Sequence, residues 1–126
     1  MLALLDWTLT ALHVAVILAF MFLWIPRSTV RLHRWVVLTT AVSWLGLGLW
    51  KGLGYCFLTD LAWRVKHARG QVHLPNSFIK YAGDWLTGQD LPPRAVDTVA
   101  ALVFLAGSGA AAFRWVEERR GRRQRA

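Results

Sequence analysis

The sequence is short of charge, of acid and of cysteine. Only 17% of its 126 residues carry a formal charge, whereas soluble domains usually carry about a quarter. A single cysteine excludes an internal disulfide framework and any multi-cysteine zinc or iron–sulfur site. The sequence has no HExxH, no CxxC, no glycine-rich phosphate loop and no nucleophile elbow. Internal repeats are absent, and the only biased tract is an arginine-rich tail. With 56% hydrophobic residues, the composition excludes a disordered chain, a secreted cysteine scaffold and an ordinary soluble enzyme.

What is present is arranged in long apolar runs. Residues Trp7 to Ile25 are free of formal charge, and Trp35 to Trp50 form a second such run. A third extends from Ala95 to Trp115, broken only by Asp97 and Arg114. About 20 apolar residues suffice to cross a hydrocarbon core. The second run reaches Cys56 if Lys51 snorkels to the headgroups. Pro92 and Pro93 suit the entry of the third, because proline is tolerated in a first helical turn. The expectation is therefore a single all-α membrane domain over 1–126. Its three transmembrane helices cover about 7–25, 35–56 and 93–116, followed by a basic tail over 117–126. A cleaved signal peptide is the competing reading of the first run, but no basic residue precedes Arg27 and no small-residue cleavage site follows the run.

Fifteen Lys and Arg against seven Asp and Glu give +8. In a soluble chain that balance would point to nucleic acid; in a membrane chain it first reports topology. Arg27, Arg31 and Arg34 lie between the first two runs, and Arg119, Arg120, Arg122, Arg123 and Arg125 follow the third. Both segments fall on one side, which the positive-inside rule makes the cytoplasm. The N-terminus and the segment 57–91 then face outward. Trp7 and Trp50 would mark the outer interface, and Trp24, Trp35 and Trp115 the inner one.

The outer segment carries two short amphipathic helices that form a cap. In the first, Thr59 caps Asp60 to Arg69, Gly70 stops it, and Leu61, Val65 and Ala68 make its apolar face against Arg64, Lys66 and His67. In the second, Asn76 or Ser77 is the cap, and Phe78, Ile79, Ala82 and Leu86 form the apolar face before Gly88, with Trp85 beside it. Small residues recur at packing distance in the long helices: Ala11, Ala15 and Ala19; Gly48 and Gly52; Gly107 and Ala111. Such pairs let backbones approach closely, within one chain or between copies or partners.

The polar residues of the runs define the candidate site. Asp6, Thr10 and His13 share one stripe of the first helix. Lys51, Tyr55, Cys56 and Asp97 are expected at similar depth on the other two. Ionisable residues in a span usually face the interior and pair there, so these seven outline an outward-facing polar pocket. The plainer alternative is that His13 bonds a neighbouring helix while Lys51 and Asp97 only touch headgroups. Cys56 beside His67 is a conceivable nucleophile, although a lone cysteine is more often packing. His13 and His33 belong to opposite sides and cannot ligate one ion, so neither a metal nor another cofactor is expected.

The order of features resembles a family of small bacterial integral membrane proteins classed as a domain of unknown function. Its members carry a histidine in the first helix, a histidine opening the second and a Cys-Pro-Leu-Thr signature. A glycine-ended amphipathic segment and a Phe-Ile pair follow. The matching residues here are His13, His33, Cys56-Phe57-Leu58-Thr59, Gly70 and Phe78-Ile79, with Phe57 in place of the proline. The resemblance implies an architecture and no reaction. The first functional expectation is a non-enzymatic accessory protein or complex subunit, with membrane lipids, a protein partner or a second copy against its small-residue faces. Nucleic acid is not expected as a partner. A small membrane enzyme or a lipid- or small-molecule-binding protein using the polar pocket is the alternative, and a haem-binding redox subunit is a third.

Overall fold

A computed structural model describes residues 1–52 and 55–126. Among the described residues the fold is all helical. Helix α1 is Leu2–Phe22. After a single 3-10 turn, α2 covers Val30–Ser43 and continues through a π-helical segment, Trp44–Gly48, into a last turn, Leu49–Lys51. Helices α3 (Phe57–Ala68) and α4 (Phe78–Thr87) are short, and α5 runs from Pro93 to Arg125. The first helix begins and ends earlier than 7–25. The second does not reach Cys56, because Gly52 leaves helical geometry at φ 113°, a conformation that glycine adopts without a steric cost. Residues 53 and 54, inside the expected second span, lie outside the described residues. The third helix extends through the basic tail, where Arg, Glu and Gln are good helix formers and the terminal arginines complement the helix dipole.

The face that α1 buries is set by three residues, Asp6, His13 and Phe20. Seven residues make nearly two helical turns, so these three align on one stripe. The expected alanine stripe is not the packing face: Ala11 and Ala15 are exposed. Phe20 packs with Val37 and Ala111, and its ring fills the notch at Gly107, where an added Cβ would lie 2.1 Å from it. Gly107 and Ala111 therefore face the bundle. Gly48 and Gly52 do not form such a contact, since Gly48 has no tight neighbour and Gly52 ends the helix. The terminal carbonyls of α1, which no helical N–H can reach, are taken by other elements. His33 Nε2 donates to Phe20 O at 2.8 Å, and just beyond the helix Arg114 donates to Trp24 O and Ile25 O at 3.1 and 3.0 Å.

Helix α3 folds down onto α1 rather than lying apart from it. Its N-cap is Cys56, and Thr59 is a fully buried residue inside the helix instead of the cap. The buried face is Thr59, Ala62, Trp63 and Lys66, rotated from the expected Leu61–Val65–Ala68 face. Lys66 turns inward because a carboxylate awaits it on α1. Helix α4 is capped by Ser77, whose hydroxyl accepts from the amides of Ile79 and Lys80, and it ends at Gly88 with φ 67°. Phe78 and the neighbouring Tyr81 and Ala82 join Trp63, Tyr55 and Ala62 in a second apolar cluster. Trp85 and Leu86 remain exposed.

The outer surface is unusually apolar. The chain exposes 8869 Å² at a mass of 14.3 kDa, where a compact soluble protein of that mass exposes about 6,800 Å². Trp7, Leu18, Leu38, Val42, Leu49 and Leu105 are among the large side chains left uncovered. Two helices, α1 and α5, are long and apolar enough to cross a membrane, yet only 11% and 17% of their apolar windows are buried. A core helix of a soluble protein would be mostly covered.

Candidate functional site

Six of the seven polar residues singled out in the sequence fall into three places, and Asp97 stands apart. At the start of α1, the Asp6 carboxylate receives Lys66 Nζ at 2.6 Å and the Arg69 guanidinium, both from the end of α3. Lys66 also donates to Tyr81 OH at 3.2 Å and sits over its ring. Thr10 turns back on its own helix and donates to the Asp6 carbonyl at 2.8 Å. This cluster ties α1, α3 and α4 together.

A second group surrounds Asp60. Tyr55 OH donates to it at 2.8 Å, Arg64 Nε lies at 2.8 Å and Lys51 Nζ at 3.9 Å. Lys51 stands over the Tyr55 ring and is not paired with Asp97. The Tyr55 hydrogen bond, reinforced by Arg64 and Lys51, holds the Asp60 carboxyl below its ordinary range despite some desolvation. Burial, with the Asp60 carboxylate beside it, pushes the Tyr55 phenol up to about 12. Asp97 is half-buried on α5 and has no ion-pair or hydrogen-bond partner among the described residues.

The third place brings His13 and Cys56 together. Cys56 Sγ lies 3.6 Å from His13 Nε2 and 3.2 Å from Thr59 Oγ1. The His13 ring stacks on Phe78 with centroids 3.8 Å apart and 7° between planes. Phe78 is in turn held by Trp63 and Tyr81, so packing fixes the imidazole. The histidine beside Cys56 is thus His13, while His67 is exposed. The connection from α2 reaches this point because the Phe57 amide, an orphan of the first turn of α3, donates to Ser43 Oγ at 2.7 Å.

Below the pair opens a cleft of about 270 Å³. Its polar lining residues are His13, Cys56, Ser43, Thr39 and Thr40, and Leu58, Val36, Phe20, Val103 and Phe104 are among the apolar ones. Trp44, in the π-helical segment, stacks on Phe104 at 4.9 Å and closes one wall. Its wall is overwhelmingly apolar, with a few polar groups, as in small-molecule sites generally. His13 is 5% exposed, and its Nδ1 has no hydrogen-bond partner among the described residues. No group of three or more His, Cys, Asp or Glu among them is placed to hold a metal ion.

Sequence reasoning does not find Ser43, Phe78 or Lys66 as part of this arrangement. The spacing of Asp6 and His13 carries one signal, since a polar residue every seventh position is a buried stripe. Lys66 gives none, because its partner lies sixty positions away.

Fold and site define a small all-helical protein with two membrane-length apolar helices and a part-buried histidine–cysteine contact on the wall of an apolar cleft. The family model described as "Protein of Unknown function (DUF2784)" matches residues 3–117, and the chain belongs to that family. No curated protein and no solved structure matches it.

Proposed function

We propose that this chain is a multi-pass protein of a bacterial inner membrane that binds an apolar ligand, one slender hydrocarbon chain with a polar end, in the cleft among α1, α2 and α5. The observation that carries the reading is the cleft itself, apolar over most of its wall, with His13, Cys56 and Ser43 close together among its few polar groups. A membrane lipid has that distribution of character. The size, about 270 Å³, lies near the lower end of ligand pockets, which run about 300–1,000 Å³, and suits one chain rather than a bulky molecule.

Three crossings support this placement. Helices α1 and α5 have the length and composition, and α2 with its π-helical continuation runs unbroken from Val30 to Lys51. The uncovered leucines and tryptophans on all three then meet lipid. The arginines of 27–34 and 119–125 share one side, which is the cytoplasm, and α3 and α4 cap the outer side. A cleft of this character favours ligand binding over the accessory-subunit reading.

Native mass spectrometry of protein released from membranes in mild detergent tests the reading. The wild type is expected to retain one lipid-sized adduct, and Thr40→Trp, which fills the cleft from its half-buried rim, to lose it. Release of bare protein by the wild type, or equal retention by the variant, would overturn the reading.

A further inference from the structure

The Cys56–His13 contact has the parts of an acyl-accepting site. Cys56 is the N-cap of α3, a twelve-residue helix, and the positive end of a helix dipole favours negative charge developing beside it. His13 Nε2 is the base within reach of its thiol, at 3.6 Å. Separations at catalytic pairs are often somewhat long before substrate binds. The imidazole is held by its stack on Phe78 rather than by a carboxylate.

The backbone supplies the electrophilic side. The first intrahelical bond of α3 runs from the Asp60 amide to Cys56 O at 3.0 Å. The amides of Leu58 and Thr59, one turn of helix from Cys56, therefore have no carbonyl of their own to meet. A helix end of this kind, beside a nucleophile, is a ready donor site for an oxyanion. Independently, the His13 side chain, nearly fully buried and on the cleft wall, is a second pointer to a ligand. When Nε2 accepts the thiol proton, Nδ1 carries a hydrogen that is buried and unpaired, a costly state that calls for an acceptor absent among the described residues.

Resting on the ligand-binding reading, we propose that Cys56 and His13 are a nucleophile–base pair that takes a long-chain acyl group from the ester of a membrane glycerophospholipid. The acyl chain occupies the cleft. His13 Nε2 removes the Cys56 thiol proton as sulfur bonds to the ester carbonyl carbon. The Leu58 amide, on the cleft wall, is the donor available to the resulting oxyanion. The ester C–O bond then breaks, and His13 returns the proton to the departing alkoxide. The products are an acyl thioester on Cys56 and a lysophospholipid, with no net oxidation or reduction.

The test uses the full-length protein in nanodiscs with p-nitrophenyl palmitate, an activated ester that makes the acyl-protein easy to trap. Intact-mass analysis follows the adduct, and peptide mapping locates it. One palmitoyl group, cleaved by neutral hydroxylamine, is expected on Cys56 of the wild type and absent from Cys56→Ala. In His13→Gln the rate of its formation should fall at least tenfold, a conservative share of the roughly 10²–10⁴-fold that a general base supplies. The same samples are assayed for lipid retention by native mass spectrometry. Retained lipid without an adduct on Cys56, or an equal rate in His13→Gln, overturns this proposal alone. Loss of both retention and adduct in the wild type overturns the ligand-binding reading with it.

Discussion

Asp6 and Lys66 meet at 2.6 Å across sixty positions of sequence, with only 4% and 2% of their surfaces exposed. Arg69 joins the same carboxylate from the rim. Breaking a buried pair by removing one partner costs about 3–5 kcal/mol, because the survivor stays desolvated and unpaired. Asp6→Asn strands two cations and should cost more than Lys66→Met, which leaves Arg69 on the carboxylate. Chemical unfolding in detergent should also show a coupling above about 1 kcal/mol between these two sites. Additive effects would mean that α3 is not pinned to α1 by this pair.

Gly107 is the notch for Phe20, and a Cβ there would overlap the ring at 2.1 Å. Gly107→Ala should destabilise the protein by about 1–3 kcal/mol through overpacking, and Phe20→Leu should restore part of the loss. Gly109, two residues on, has nothing within 4 Å of an added Cβ. Gly109→Ala should therefore fall within about 0.5 kcal/mol of wild type or slightly above it. Thermal unfolding of the three variants separates the two faces of α5.

The Asp60 cluster predicts an acid-sensitive anchor. Its folded carboxyl is held below the ordinary value, first by Tyr55 and then by Arg64 and Lys51. A group of this kind contributes stability that is fully present above its unfolded pKa and is lost as pH falls through the folded one. Melting temperatures recorded from neutral pH downward should thus decline below about pH 4. Asp60→Asn should be less stable at neutral pH and show a shallower acid decline. The Asp84 carboxyl, lowered by its bond to Lys80 and by the Leu91 amide, should account for part of the decline that remains. Parallel curves for wild type and variant would contradict the assignment.

The proposed topology rests on the arginines. A reporter active only outside the cytoplasm should be silent when fused after Ala126 and active when inserted at Gly70, an exposed stop at the end of α3 with φ 82°. Activity in the opposite pattern would invert the orientation, and activity at both positions would mean that α1, α2 and α5 do not all cross.

Local signals in the sequence were legible where one residue decides the backbone. Ser77, Gly70 and Gly88 punctuate the segment between α2 and α5 as their chemistry requires, because caps and positive φ depend on neighbours in sequence. The facing of α3 was not legible. Lys66 belongs to the polar side of that helix by pattern and to the buried side by its bond to Asp6. The alanine repeat at 11, 15 and 19 misled in the opposite direction, since small size permits close packing without requiring it. His13 and Cys56 were both visible as unusual residues. Their contact depends on Gly52 ending α2 and on Ser43 receiving the Phe57 amide, neither of which is a pattern in the apolar runs.

The account rests most directly on an apolar ligand lying in the cleft, and site-mapped photocrosslinking measures that. Membranes containing the full-length protein would be labelled with a diazirine-bearing palmitic acid, irradiated, and the modified residues read by peptide mass spectrometry. Crosslinks concentrated at Val36, Thr40 and Val103 along the cleft are the predicted result. Labelling spread evenly over the outward residues Leu18, Leu38 and Leu105, with the cleft unmodified, would contradict the account.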